Sequence, residues 1–316
     1  MILRAGSRLL TASAASGVSR LSIGQQENVY GYLFLLPWFV GMIAITIGPI
    51  LASLYLAFTD YSILQAPHWV GLANFVNMFT ADSRFLGAVR TTLVYVGISV
   101  PLVLVWGLVL ALVLNQGMRF LPVFRAIFYI PSLLGSSVAV AILWFYMFGR
   151  DGLLNLALRP LGYVGPSYIG NPSFALYTLV VLNLWAFGSG MIIFLAGLRQ
   201  IPVELYEAAQ LDGAGAWAKF WRVTLPLLTP ILFFNGVLGL VGGFQAFTSA
   251  FVVSNGTGGP ADSTLMYQVY LYQRGFVNLN MGYACAMAWV LLTVIAVCTG
   301  FLFWTSRFWV FYGEER

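Results

Sequence analysis

Six stretches without a single charged side chain set the limits on how this sequence can fold. They run from Asn28 to Thr59, Thr91 to Met118, Ala126 to Gly149, Pro160 to Leu198, Val223 to Ala261 and Gly275 to Ser306, and all 25 charged residues lie outside them. Each exceeds the roughly 20 residues that a helix needs to cross a hydrocarbon core of about 30 Å. A backbone in lipid must satisfy its own hydrogen bonds, which leaves helices or a closed barrel. The windows lack the period-2 alternation of barrel strands. The expectation is an all-α polytopic membrane protein with six transmembrane helices, near 30–58, 90–115, 122–148, 174–198, 224–252 and 280–305. Composition agrees: 60% of the residues are apolar, 8% are charged, and the mean hydropathy is +0.87, far from the balance of a soluble domain.

With six spans both termini share one side. That side carries ten Lys or Arg (Arg4, Arg8, Arg20, Arg119, Arg125, Arg199, Lys219, Arg222, Arg307, Arg316), against five (Arg84, Arg90, Arg150, Arg159, Arg274) on the other. The excess places the termini in the cytoplasm. Residues 1–28 are expected to form a cytoplasmic tail and 29–316 a single transmembrane domain. The arginine- and serine-rich start also fits a transit peptide, but it is too weakly apolar for a secretory signal. Cys285 and Cys298 are thirteen residues apart in one span, roughly 20 Å along a helix, so they cannot bridge.

What the spans lack narrows the function. Proton relays and many ion sites need ionisable residues inside the membrane, and the six windows hold none. The only histidine, His68, sits in a loop beside Trp69, and one ligand makes no metal site. Sodium coupling is disfavoured less strongly, because carbonyls at broken helices can hold that ion. A phosphate-binding loop ends in Gly-Lys-Ser/Thr, whereas the only lysine, Lys219, lies between Ala218 and Phe220. Any ATP, with its Mg²⁺, would therefore belong to a separate subunit. No nucleic-acid partner is expected.

Between the fourth and fifth spans lies a polar segment broken by glycine. Pro202 suits a helix start, and Glu204 and Glu207 fall in its first turns, where acids complement the helix dipole. Asp212 and Gly213 supply a turn that ends it near residue 213, and a second short helix is expected from Ala216 to Val223. Ala208 and Ala209 permit close approach of a partner while Glu207 offers it a charge. An amphipathic helix lying on lipid headgroups is the competing reading, although its acids would be repelled by anionic lipid.

The order Glu207, Ala208, Ala209, Gly213, Val223, Leu225, Pro226, within "EAAQLDGAGAWAKFWRVTLPLLTP", resembles the EAA loop of binding-protein-dependent ABC importer permeases, and most of all the carbohydrate permeases of the maltose type. Two further stretches look like the same group. One is the glycine-rich "NGTGGP" from Asn255 to Pro260; the other is the first span, "LFLLPWFVGMIAITIGPI", with the "FTDYSILQAPHWVGLANF" that follows it. The resemblance implies a permease subunit in a bacterial inner membrane that pairs with a second homologous permease. Two ATPase subunits would bind beneath the pair, and an extracytoplasmic solute-binding protein would deliver a sugar. It makes 202–213 a coupling helix that docks on the ATPase through Glu204, Glu207, Ala208, Ala209, Asp212 and Gly213.

The spans also hold neutral polar groups. Amides and hydroxyls with aromatic faces suit a polyhydroxylated solute, but the same residues hold membrane helices together. Trp185 and Thr248 are among such groups, and the resemblance adds "NLWAFGSG" and "GFQAFTSAF", in which Asn183, Gly188, Phe244 and Gln245 fall at or near its substrate-lining positions; these six residues are the expected substrate path. An ion-coupled carrier, an ABC permease for glycerol phosphate or another non-sugar solute, and a membrane scaffold are the alternatives.

Overall fold

Runs rich in Leu, Val, Ile and Phe fold here as helices, and Asp82, Ser137, Asn171 and Asn280 each cap the start of one by accepting a backbone N–H. A computed structural model describes residues 23–116, 120–135, 137–163 and 165–311; the expected tail lies outside the described residues through residue 22. The chain divides into two units, Met1–Ala52 and Ser53–Arg316. From the first, α1 (Ile23–Gly41) passes through a π-helical turn at Met42–Ile47 into α2 (Gly48–Leu56), whose last four residues belong to the second.

The second unit holds α3 (Ala73–Thr80), α4 (Ser83–Leu114), α5 (Leu121–Leu134), α6 (Val138–Phe148), α7 (Leu153–Leu158), α8 (Pro172–Trp185), α9 (Gly188–Gln200), α10 (Val203–Leu211), α11 (Ala216–Lys219), α12 (Leu225–Phe244), α13 (Thr248–Val253), α14 (Tyr267–Tyr272) and α15 (Met281–Trp309). Beyond isolated bridges such as Thr59 with Trp69, the described residues form no strand.

Four of the described helical segments are long and apolar enough to cross a membrane, and six spans result when two bent pairs each count as one. The third and fourth spans, expected as straight helices, are thus broken: Leu121–Leu134 and Val138–Leu161 meet at 96° and α8 and α9 at 44°. Freedom from charge registers only how long an apolar segment is, so it could not reveal these bends. The fifth span also begins earlier than expected. In place of a separate short helix over Ala216–Val223, α11 continues through a π-helical turn, Phe220–Thr224, directly into α12.

Apolar contact gains little inside lipid, so membrane helices associate where small residues allow close packing. Central α4 packs against α8, α9 and α12. At Gly107 an added Cβ would come within 3.5 Å of the Met191 backbone. At Gly197 it would overlap Ile231, which seats α9 on α12. One buried cluster joins Leu108, Ala111 and Leu114 to Phe194, Leu198 and Leu228, at the α10 end of the bundle.

At the opposite end, Asp82 caps α4 by accepting from the Phe85 N–H at 3.1 Å. Its Oδ2 also accepts from Tyr270 at 2.5 Å, Tyr283 at 2.6 Å and Arg274 at 2.8 Å. Burial opposes ionisation of this carboxyl, yet the hydrogen bonds from Tyr270, Tyr283, Phe85 and Arg274 outweigh it and hold the pKa at about 2. Arg84 forks onto Asp262 at 2.8 and 2.9 Å beside this cluster. The start of α4 is thereby locked to the segment between α13 and α15. That segment opens with the glycine-rich turn, in which Gly258 has φ +95° and an added Cβ would sit 2.7 Å from Leu265.

Candidate substrate path and coupling helix

Three helix interruptions converge on one cavity. The α5–α6 break contributes Ser132 and Gly135, the α8–α9 break Asn183 and Ala186, and the break after α12 the run from Gln245 to Ser249. Glycine is what lets the first two approach, since a Cβ on Gly135 would lie 2.5 Å from that of Ala186. After α12, Gln245 still donates its N–H to Val241 at 3.2 Å, and helical geometry is then lost until Thr248. Irregular backbone at membrane depth is tolerated where it lines a cavity, and half-helix junctions are where many transporters hold their cargo.

This first cavity measures about 320 Å³ and presents Tyr95, Ser132, Asn183, Gln245, Thr248 and Ser249. A second, of about 340 Å³, adjoins it, sharing Asn183 and Gly242 and adding Ser189 and Asn235. Among the described residues no Asp, Glu, Lys, Arg or His lines either one. Both fall within the size range of small-molecule sites, about 300–1,000 Å³. The arrangement offers neutral donors and acceptors and no group for chemical transformation.

Of the six residues named from sequence for the path, Asn183, Gln245 and Thr248 come together on the first cavity. The other three do not line it. The Trp185 ring packs 6.0 Å from that of Trp144. At Gly188 an added Cβ would lie 2.6 Å from the Phe128 carbonyl, so this residue seats α9 on α5. Phe244 is buried in the main core. Tyr95 and Ser132 escaped the sequence reading; as lone polar groups in apolar spans they resembled helix-packing residues.

The segment expected at 202–213 is α10, with Pro202 at its N-cap and Asp212 at its C-cap. Gly213 follows at φ +79°, a conformation costly for other residues, and the chain turns there, with Gly213 N–H donating to Gln210 at 3.0 Å. No residue of α10 is buried. Glu204, Glu207, Ala208 and Asp212 are exposed, Ala209 is half-buried, and Leu211 is 90% exposed. Two side-chain contacts bind the helix to the next span: the Tyr206 and Thr224 hydroxyls lie 3.0 Å apart, and Lys219 Nζ donates to Gln210 Oε1 at 3.3 Å. A cleft of about 420 Å³ lies behind α10, between Ala209, Asp212, Lys219 and Arg222.

Residues 104–307, which contain most of the cavity lining and all of α10, match the family described as "Binding-protein-dependent transport system inner membrane component". The chain belongs to this family. It is an integral inner membrane permease, a transporter component that works with a solute-binding protein and an ATPase, and not an enzyme. The permease is 44% identical to the "Probable ABC transporter permease protein YesP" of Bacillus subtilis (strain 168), with 97% of this chain and 100% of the relative covered. It is 31% identical to the "Lactose transport system permease protein LacF" of Rhizobium radiobacter, over 92% of this chain and 98% of that one. Its fold matches a chain from a crystal structure of a bacterial alginate ABC transporter, in complex with a periplasmic protein bound to alginate pentasaccharide. The TM-score is 0.78 at 23% identity, covering 89% of this chain and 95% of that chain.

Proposed function

We propose that this permease forms part of the path of a neutral carbohydrate in an ATP-driven importer, with the first cavity on that path and α10 as the element that engages the ATPase. The carrying observation is that three interrupted helices meet at an uncharged cavity presenting Asn183, Gln245 and Thr248. Side-chain amides and hydroxyls can donate to and accept from sugar hydroxyls. A phosphorylated or carboxylated cargo would call for Arg or Lys instead. The lactose permease among the relatives supports sugar as the cargo.

In this reading residues 29–316 are the permease domain, the first 28 are a cytoplasmic tail, and both termini and α10 face the cytoplasm. A second, homologous permease completes the pathway, and two ATPase subunits supply ATP and Mg²⁺. Glu204, Glu207 and Asp212 meet cationic groups of an ATPase cleft, Ala208 and Ala209 let the cleft close on the helix, and Gly213 turns the chain away. Closure of the ATPase then moves α10, and the Tyr206–Thr224 tie carries the movement into the helix that ends at Gln245. ATP shifts this two-state equilibrium because it binds the closed ATPase more tightly than the open one.

The test is uptake into proteoliposomes holding the complete complex. Transport of a neutral oligosaccharide that requires ATP, the ATPase and the binding protein is expected. Uptake driven by a sodium or proton gradient without the ATPase, or uptake of phosphorylated solutes alone, would overturn the reading.

A further inference from the structure

Asn235 lies on α12 ten residues before Gln245, about 15 Å along the helix toward the α10 end. It is 8% exposed, and its Nδ2 has no hydrogen-bond partner among the described residues. A side-chain amide left unpaired at such burial is unfavourable unless water or a solute hydroxyl meets it. The Nδ2 atom itself has under 1 Å² of accessible surface, and a turn of the amide into the adjoining space would bring it to such a partner. Asn235 lines the second cavity with Asn183, Ser189 and Gly239, and Gly190 leaves room beside the amide, since even an added Cβ there would stay 3.8 Å from the Asn235 Oδ1.

The two cavities are successive rather than separate, because Asn183 and Gly242 belong to both. The amides of Gln245, Asn183 and Asn235 thus form a series, with Asn183 at the junction. Between its two amides α12 lines the second cavity with Leu238, Gly239, Gly242 and Gly243. A Cβ on Gly242, the glycine shared by both cavities, would meet nothing within 4 Å, so this position leaves room for a solute, whereas Gly239 and Gly243 lie close against Val100 and Val96 of α4.

We infer that Asn235 is a second binding station for the solute, donating its amide hydrogens to hydroxyls of a neutral polyhydroxylated molecule that has left Gln245 on its way to the α10 end. This rests on the carbohydrate reading above. An amide suits this task because it pairs with hydroxyls without the strong hold of a charge, so the solute can leave as readily as it arrives.

The test uses the complete complex in proteoliposomes, with lactose, maltotriose and xylobiose as probes. Asn235→Leu removes an unpaired amide, so the complex should assemble as well as the wild type. The sugar concentration for half-maximal uptake, or for half-maximal stimulation of ATP hydrolysis, should rise about threefold to tenfold, the loss expected for one neutral hydrogen bond. Asn235→Gln should recover part of it. An unchanged value in Asn235→Leu, with Gln245→Leu impaired, overturns the inference and leaves the carbohydrate reading standing; if the wild type carries none of the three sugars, the carbohydrate reading fails and the inference with it. Accessibility supplies an arm that needs no sugar. In a chain with Cys285 and Cys298 replaced by Ala, Asn235→Cys should react with a water-soluble cationic methanethiosulfonate at least about tenfold faster than Leu228→Cys, whose native residue is 0% exposed. Equal rates overturn the second station by themselves.

Discussion

The Tyr206 hydroxyl lies 3.0 Å from that of Thr224, joining the middle of the exposed helix α10 to a buried position near the start of the fifth span. Thr224 is 5% exposed and also donates toward the Lys219 carbonyl at 3.4 Å. A second, exposed side-chain hydrogen bond, from Lys219 Nζ to Gln210 Oε1 at 3.3 Å, joins the same two helices nearer the α10 C-terminus. Tyr206→Phe removes the bond to Thr224 while keeping the ring. Basal ATP hydrolysis by the complex should persist and its stimulation by sugar should fall about twofold to tenfold, given about 0.5–1.5 kcal/mol for such a bond. Unchanged stimulation would show that movement reaches α12 by another route.

Glu207 is exposed on a helix with no buried residue, so its substitution disturbs no packing in this chain. Glu207→Arg should insert in the membrane at normal levels and abolish sugar-stimulated ATP hydrolysis of the assembled complex, because it sets a cation against the cationic groups proposed on the ATPase. Normal coupling in that variant would remove Glu207 from the docking surface.

Asp82 should act on stability rather than on transport selectivity. Asp82→Asn leaves Arg274, Tyr270 and Tyr283 without their shared anion and should cost on the order of 2–4 kcal/mol, read as a lower Tm in detergent. The folded-state pKa of about 2 lies below the ordinary 3.8, so the unfolded chain binds more protons between these values. The stabilisation is therefore complete above about pH 5 and lost as the pH falls through 4 toward 2. A Tm that changes between pH 6 and 8 through this group would contradict the assignment.

Gly188 separates packing from binding. An added methyl group would meet the Phe128 carbonyl at 2.6 Å and the Tyr129 Cα at 2.9 Å, both backbone atoms of α5 that cannot move alone. Gly188→Ala should lower Tm, by the about 1–3 kcal/mol typical of overpacking, while the surviving complex keeps its half-saturating sugar concentration. A changed half-saturation at unchanged Tm would return Gly188 to the solute path.

The spans and α10 were legible because their signals are local. Missing charge marks apolar length, and Pro202, Asp212 and Gly213 mark the ends of one short helix by their own backbone preferences. The bends were not, although Pro131 and Gly135 stand at one break and Gly188 and Gly190 just after the other. Such residues are common in straight membrane helices too, and only the approach of Gly135 to Ala186 decides that the chain turns there. The Asp82 cluster was hidden by distance along the chain. Tyr270 is 188 residues away, and a count of charges per loop registers Asp82 and Arg274 without pairing them. Asn183, Gln245 and Thr248 share a cavity because three breaks coincide; Trp185 and Phe244, neighbours in the same motifs, point into packing instead.

One measurement bears most directly on the claim that cavity and coupling helix serve a single transport cycle. In proteoliposomes containing the complete complex and its binding protein, sugar uptake and ATP hydrolysis are recorded together for the wild type, Asn183→Leu and Gln245→Leu. The expected result is normal assembly and basal hydrolysis, with the half-saturating sugar concentration raised about threefold or more in both variants for uptake and for stimulated hydrolysis alike. Wild-type values of both quantities in both variants would contradict it and move the solute path to the partner permease.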